Sequence, residues 1–277
     1  MGGFTQTMGK TPILGPAVVT ALRARTALSY YKRPAVEIVR WLVRSRETTN
    51  FTYDLEEQNR LHLAALLADL LNLEFEGILG YFKELEGDAE LKTHLATHAA
   101  DGGLSFVADP EARYGRRLGW YAIARATKPR VVIETGVDKG LGACVLTAAL
   151  RRNLAEGDPG TYYGTDIDPK AGYLLAGAYA SQGKILYGDS LESLRRLEGP
   201  IDLFVNDSDH SAEYEAAEYD AIADKLSEKA IVLGDNAHCT DKLLRFSLDR
   251  GRRFVFFSER PARHWYPGAG IGISFRR

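Results

Sequence analysis

From residue 130 onward the chain falls into short apolar runs, each closed by a polar or glycine-rich turn and separated by stretches with apolar residues three and four positions apart. The short runs predict strands at Arg130–Glu134, Thr161–Asp166, Lys184–Tyr187, Ile201–Val205, Ala230–Leu233, Arg253–Ser258 and Gly270–Phe275. The intervening segments predict helices at Ala143–Arg152, Ala171–Ser181, Ser190–Leu197, Ala212–Leu226 and Thr240–Arg250. Such alternation predicts an α/β fold, a doubly wound and mostly parallel sheet with helices on both faces. The last two runs leave little room for a crossover helix, so the final strand is expected to be antiparallel.

The first hundred residues have a different rhythm. Residues 1 to about 30 are mixed, then basic, and suggest a loosely ordered lead-in. Pro34 to His98 carries helical spacing, with Thr52 or Asp54 as candidate cap for a second helix. Asp101-Gly102-Gly103 marks a break. The expected organisation is a helical region over 1–103, serving as a lid or dimer surface, and a ligand-binding domain over 104–277.

The chain has 277 residues, 45% hydrophobic and 26% charged, with a formal net charge of -2. No basic excess points to nucleic acid or an anionic membrane, so neither is expected as a partner. With Cys144 and Cys239 as its two cysteines, the chain suggests neither a disulfide framework nor a cysteine metal site. Two cysteines without a framework fit a reducing, cytoplasmic setting, Met1 to Lys10 lacks an apolar leader, and a homo-oligomer is expected.

The chemistry concentrates at the strand ends. The first strand runs into Glu134-Thr135-Gly136 and then Gly140-x-Gly142, a turn in which glycine permits close approach of a ligand and a helix N-terminus follows. The spacing differs from the G-x-G-x-x-G of dinucleotide enzymes, which argues against NAD. The second strand ends at Asp166-Ile167-Asp168, where Asp166 is placed to accept from ribose hydroxyls and Asp168 to shape the turn before Pro169. Gly188-Asp189-Ser190 after the third strand reads either as a ligand edge or as a plain helix N-cap. Asp207 after the fourth and Asp235-Asn236 after the fifth are oxygen donors on neighbouring strands. They suit a hard cation such as Mg²⁺, or else a cap and a turn.

Taken together these motifs resemble the class I S-adenosylmethionine-dependent methyltransferases, and among them the metal-dependent O-methyltransferases of the catechol, caffeoyl-CoA and macrolide-sugar type. The resemblance covers about residues 114 to 277. It implies that Glu134, Gly136, Gly140 and Gly142 hold the methionine end of S-adenosylmethionine, that Asp166 and Ile167 hold the ribose side, and that Gly188, Asp189 and Ser190 meet the adenine. It also implies that Asp207, Asp235 and Asn236 ligate Mg²⁺ or a similar divalent cation. Relatives usually place a lysine base three residues after the first metal aspartate; this chain has His210, which takes a proton near neutral pH. The implied reaction is Mg²⁺-dependent methylation of a hydroxyl on a small-molecule glycoside, polyketide or phenol, with His210 and Asp207 as catalytic residues. His264-Trp265-Tyr266 is a candidate acceptor platform. Other readings are a metal-dependent hydroxylase or NAD-type enzyme on the same fold, or a non-catalytic S-adenosylmethionine-binding partner protein.

Overall fold

A computed structural model of the chain describes residues 11–12, 15–101, 109, 111–235 and 237–276. Its compact units are Met1–Ser45 with Arg263–Pro267, and Arg46–Ala262 with Gly268–Arg277. In the first unit, α1 (Gly15–Arg44) is continuous through Pro34. The lead-in expected to about residue 30 is therefore half helix. Ala17, Ala21, Leu22, Ala27 and Leu28 are strong helix formers, and their propensity carries the helix where mixed composition suggested a loop. Trp41 on α1 meets Trp265 edge-on at 5.4 Å, so the His264-Trp265-Tyr266 segment belongs to this unit.

The second unit opens with α2 (Glu57–Leu71), α3 (Phe75–Glu86) and α4 (Ala89–Asp101). Neither Thr52 nor Asp54 caps α2. Its N-cap is Glu56, without a side-chain bond, while the Thr52 hydroxyl donates to Glu47 at 2.6 Å. A further helix, α5 (Arg117–Thr127), was not predicted. All residues from Leu118 to Arg125 are buried, and a helix covered all round shows no apolar stripe to read. It packs on α6 (Leu141–Ala155) and against α2 and α3, joining the helical layer to the sheet.

The sheet has seven strands: β1 (Val131–Thr135), β2 (Thr161–Asp166), β3 (Gly183–Tyr187), β4 (Ile201–Asn206), β5 (Leu226–Gly234), β6 (Arg253–Ser258) and β7 (Gly270–Phe275). Their order is β3-β2-β1-β4-β5-β7-β6, with β1 to β5 parallel and β7 antiparallel to both its neighbours. The predicted α/β sheet and its antiparallel last strand are thus present, with β7 inserted inside β6. Strand order reverses between β1 and β4, and the crevice beyond such a switch point is where open α/β sheets bind ligands. Below it Ile133, Phe204 and Val232 from three strands close a core with Tyr219, Ile222 and Leu243.

Two helices differ from expectation. The helix predicted over 171–181 shrinks to α7 (Gly177–Ala180), because Gly172 and Gly177 take left-handed φ of 72° and 52°. A Cβ at Gly172 would lie 1.8 Å from Ile185 Cδ1, so this stretch is a turn pressed against β3. The helix expected to reach Leu226 ends as α9 (Ala212–Ile222), after which a 3-10 turn, Ala223–Lys225, leads directly into β5. The remaining helices, α8 (Ser190–Arg196) and α10 (Lys242–Asp249), lie within their predicted spans.

Candidate functional site

A cavity of about 1140 Å³ opens beyond the C-terminal ends of β1 to β4. That volume suits a nucleotide-sized ligand with space for a second small molecule. Gly136, the first residue past β1, has φ 79°, and a Cβ there would stand 2.0 Å from the Asp207 carbonyl oxygen. Only glycine lets the exits of β1 and β4 approach so closely, which is what brings their polar ends into one space.

Glu134, Gly140 and Gly142 do not border the cavity. Gly140, at φ 99°, is the N-cap of α6, and a Cβ on Gly142 would meet Glu134 Oε1 at 2.2 Å. These residues shape the turn from behind. Glu134 is 2% exposed and accepts a 2.5 Å hydrogen bond from the Tyr162 hydroxyl. Burial pushes its carboxyl up to about 7, with the Tyr162 bond pulling the other way.

Asp166 borders the cavity and is held by its own neighbourhood: its oxygens accept from the backbone N–H groups of Asp138 and Asp168, each at 2.9 Å. Ile167 is 81% exposed, an apolar side chain turned into the cavity wall. Asp168 accepts from Lys170 N at 2.9 Å, the turn-shaping role read from the sequence. Lys139, also on the wall, lies 4.1 Å from the centre of the Phe51 ring, which brings the Thr48–Tyr53 segment to the rim.

Gly188, Asp189 and Ser190 line the same cavity. Asp189 is the N-cap of α8 and accepts from Glu192 N at 3.2 Å. The buried Ser190 hydroxyl is engaged below, with Glu218 and with Tyr214 at 2.9 Å. Glu218 on α9 is the hub here. Its carboxyl accepts from Thr135 at 3.0 Å, from Ser208 at 2.8 Å, and from Asn206 and Ser190. Burial raises its pKa while these donors lower it, and the network ties the ends of β1, β4 and α8 together. The sequence reading missed it, since an acid within Glu213–Asp220 looks like any solvated helix face.

On the opposite side, Asp207 and His210 border the cavity, His210 being exposed. Pairing of Asn206 with Gly234 sets Asp207 beside Asp235, as the adjacent-strand reading predicted. The Asp207 carboxyl is held well above the usual carboxylate range, first by burial and then by the Asp235 charge. Asn236 lies outside the described residues.

At Asp235 the expected metal set does not fit a divalent cation. Both Asp235 oxygens are taken by Arg116, whose Nη2 stands 2.7 Å from Oδ2 while Nε contacts Oδ1. The guanidinium is fixed further by the Tyr53 hydroxyl at 2.5 Å and by Glu259 Oε1 at 3.4 Å. Tyr53 in turn donates to Glu259 at 2.9 Å, and Ala269 N donates to Glu259 at 3.0 Å. Arg116, Tyr53 and Glu259 were missed by sequence reading; an arginine at the head of an unpredicted helix was the one available signal.

Residues 133–237 match the methyltransferase domain family. Among solved structures, cofactor-bound Rv0187 from MTB superposes with a TM-score of 0.54 at 17% identity, covering 66% of this chain and 89% of that one. A methyltransferase from Geobacter sulfurreducens gives 0.50 at 17% identity, covering 67% and 90%. No curated protein matches the chain. With this strand order and this strand-end cavity, the chain has the fold of these methyltransferase structures, and its residues 133–237 resemble the methyltransferase domain family.

Proposed function

We propose that this chain moves the methyl group of S-adenosylmethionine to a hydroxyl of a small-molecule metabolite. The observation that carries this reading is Asp166, fixed by two backbone amides at the end of β2 with its carboxylate on the cavity beside the exposed Ile167. A preset carboxylate at this point suits the two ribose hydroxyls of a nucleoside, and the Ile167 side chain suits the apolar face of its sugar or base. Gly136, on the cavity wall where the exits of β1 and β4 meet, offers bare backbone for the methionine portion to lie against. Asp189 and Ser190 border the adenine end, their side chains already engaged, so they shape that wall more than they bind from it.

In the reaction the acceptor oxygen attacks the methyl carbon, the carbon–sulfur bond breaks with its electron pair going to sulfur, and S-adenosylhomocysteine leaves. The hydroxyl proton passes to the His210 imidazole and then to solvent. Much of the rate comes from holding oxygen, carbon and sulfur collinear. No step passes through a metal, because both oxygens of Asp235, one of the donors expected for it, are taken by Arg116.

Thermal shift with S-adenosylmethionine, S-adenosylhomocysteine and NAD tests the cofactor. The first two are expected to stabilise the protein and NAD to leave it unchanged; stabilisation by NAD alone overturns the reading. A labelled-methyl screen over alcohols, phenols and glycosides identifies the acceptor. His210→Ala is then expected to lower kcat by roughly 10²- to 10⁴-fold with S-adenosylhomocysteine affinity unchanged.

A further inference from the structure

We propose that Arg116 is the resident cation of this site, standing where a divalent metal would bind, and that methyl transfer here runs without one. Asp207 and Asp235 are brought together by the β4–β5 register, which by itself is how a pair of metal carboxylates would be placed. At Asp235 a guanidinium is already in place. Arg116 and Asp235 are 7% and 5% exposed, and their two-pronged contact uses both carboxylate oxygens. The planar fork of arginine matches a carboxylate in this way, as a lysine would not.

Three further contacts keep the guanidinium from swinging aside. Tyr53 accepts from Nη1 at 2.5 Å, Glu259 takes the same nitrogen at 3.4 Å, and Ala269 N pins Glu259 at 3.0 Å. A divalent ion entering this site would have to expel Arg116 and strand the Glu259 carboxylate, 1% exposed, without its cation. An ion that entered beside Arg116 would meet its positive charge across the same carboxylates.

The consequence falls on the acceptor, and this part rests on the methyl-transfer reading. A bound divalent ion lowers the pKa of a coordinated hydroxyl. A guanidinium already saturated by carboxylates and a phenol lacks that power, so the acceptor must give up its proton to His210 unaided. A phenolic hydroxyl, with an ordinary pKa near 10, is acidic enough to pass its proton to a neutral imidazole base. An aliphatic sugar hydroxyl is far less acidic. The structure therefore narrows the acceptor class from hydroxyls in general to phenol-like ones.

The full chain is titrated with Mn²⁺, free ion being followed by its paramagnetic resonance signal, and its melting is compared in MgCl₂ and in excess EDTA. The wild type is expected to leave the free Mn²⁺ signal unreduced and to melt at one temperature in both. Arg116→Gln is expected to melt lower in EDTA, to take up Mn²⁺, and to regain about 5 °C at saturation. Arg116→Lys keeps the charge and is expected to stay indifferent to the metal. Mn²⁺ uptake by the wild type that disappears in Asp235→Asn overturns the proposal, as does a folded Arg116→Gln that still ignores Mn²⁺. If Arg116→Gln does not fold, the wild-type titration with its Asp235→Asn control decides. In the labelled-methyl screen run in EDTA, phenols are expected to be methylated and glycosides not; methylation of aliphatic hydroxyls alone overturns the acceptor class. Failure of S-adenosylmethionine to stabilise the protein would remove the methyl-transfer reading and leave the Mn²⁺ result intact.

Discussion

Two strand-end carboxylates, one on the cavity wall and one buried behind it, are held by different means. On the β2 side, Asp166 faces the cavity and is positioned by backbone amides at Asp138 and Asp168, groups delivered by adjacent turns. On the β4–β5 side, Asp235 is buried and is positioned by Arg116, which is itself held by Tyr53 and Glu259 from distant parts of the chain. The first arrangement leaves a charge exposed for a ligand and costs the fold little. The second consumes its charge internally, so it contributes to stability and constrains what else can bind. A carboxylate at a strand end thus becomes a ligand site or a structural tie according to which donors reach it first.

The largest expected effect tests the buried tie. Arg116→Ala leaves Asp235 and Glu259 without their cation and is expected to lower unfolding free energy by about 3–5 kcal/mol, read from urea denaturation. A loss under about 1 kcal/mol would show that the two sides are held alike.

Next is the pH dependence of Glu134. Its carboxyl titrates near 4.5 unfolded and at about 7 folded, so the folded state binds the proton more tightly. Stability from this group is therefore full below about 4.5, falls as pH rises, and is lost by about 7, a change on the order of 3 kcal/mol. Glu134→Gln is expected to flatten that part of the curve while keeping an acceptor for Tyr162. A wild-type curve already flat between these values would remove burial as the cause.

On the ligand side the effect should appear in binding. Asp166→Asn is expected to weaken S-adenosylhomocysteine by roughly 10- to 100-fold, about 1.4–2.8 kcal/mol by calorimetry, with little change in melting temperature. Asp189→Ala removes the α8 cap and is expected to cost about 1 kcal/mol of stability, the smallest of the four. If Asp189→Ala instead weakened ligand binding more than folding, the adenine edge would be its main role.

What was legible in the sequence follows the same division. The strands, their alternation with helices, the glycine turn and the carboxylate endings are set by residues within a few positions of each other. Period, turn chemistry and capping therefore expose them. Asp168 reads as a turn former because its partner, Lys170 N, is two residues on. α5 escaped because it is buried on every side, and the 171–181 helix failed because Gly172 answers to Ile185 on β3 rather than to its own neighbours. Glu218 and Arg116 carry no local signal: their partners are brought to them by the sheet.

The sequence by itself determined the strands, their alternation with helices and the row of polar groups along the strand ends, since hydrophobic period and turn residues act over short range. Only the tertiary structure decided how those polar groups are used. Whether Asp235 faces a metal or a guanidinium depends on Tyr53, Arg116 and Glu259 meeting across the fold, and electrostatic partnership inside a protein is settled by distance in space.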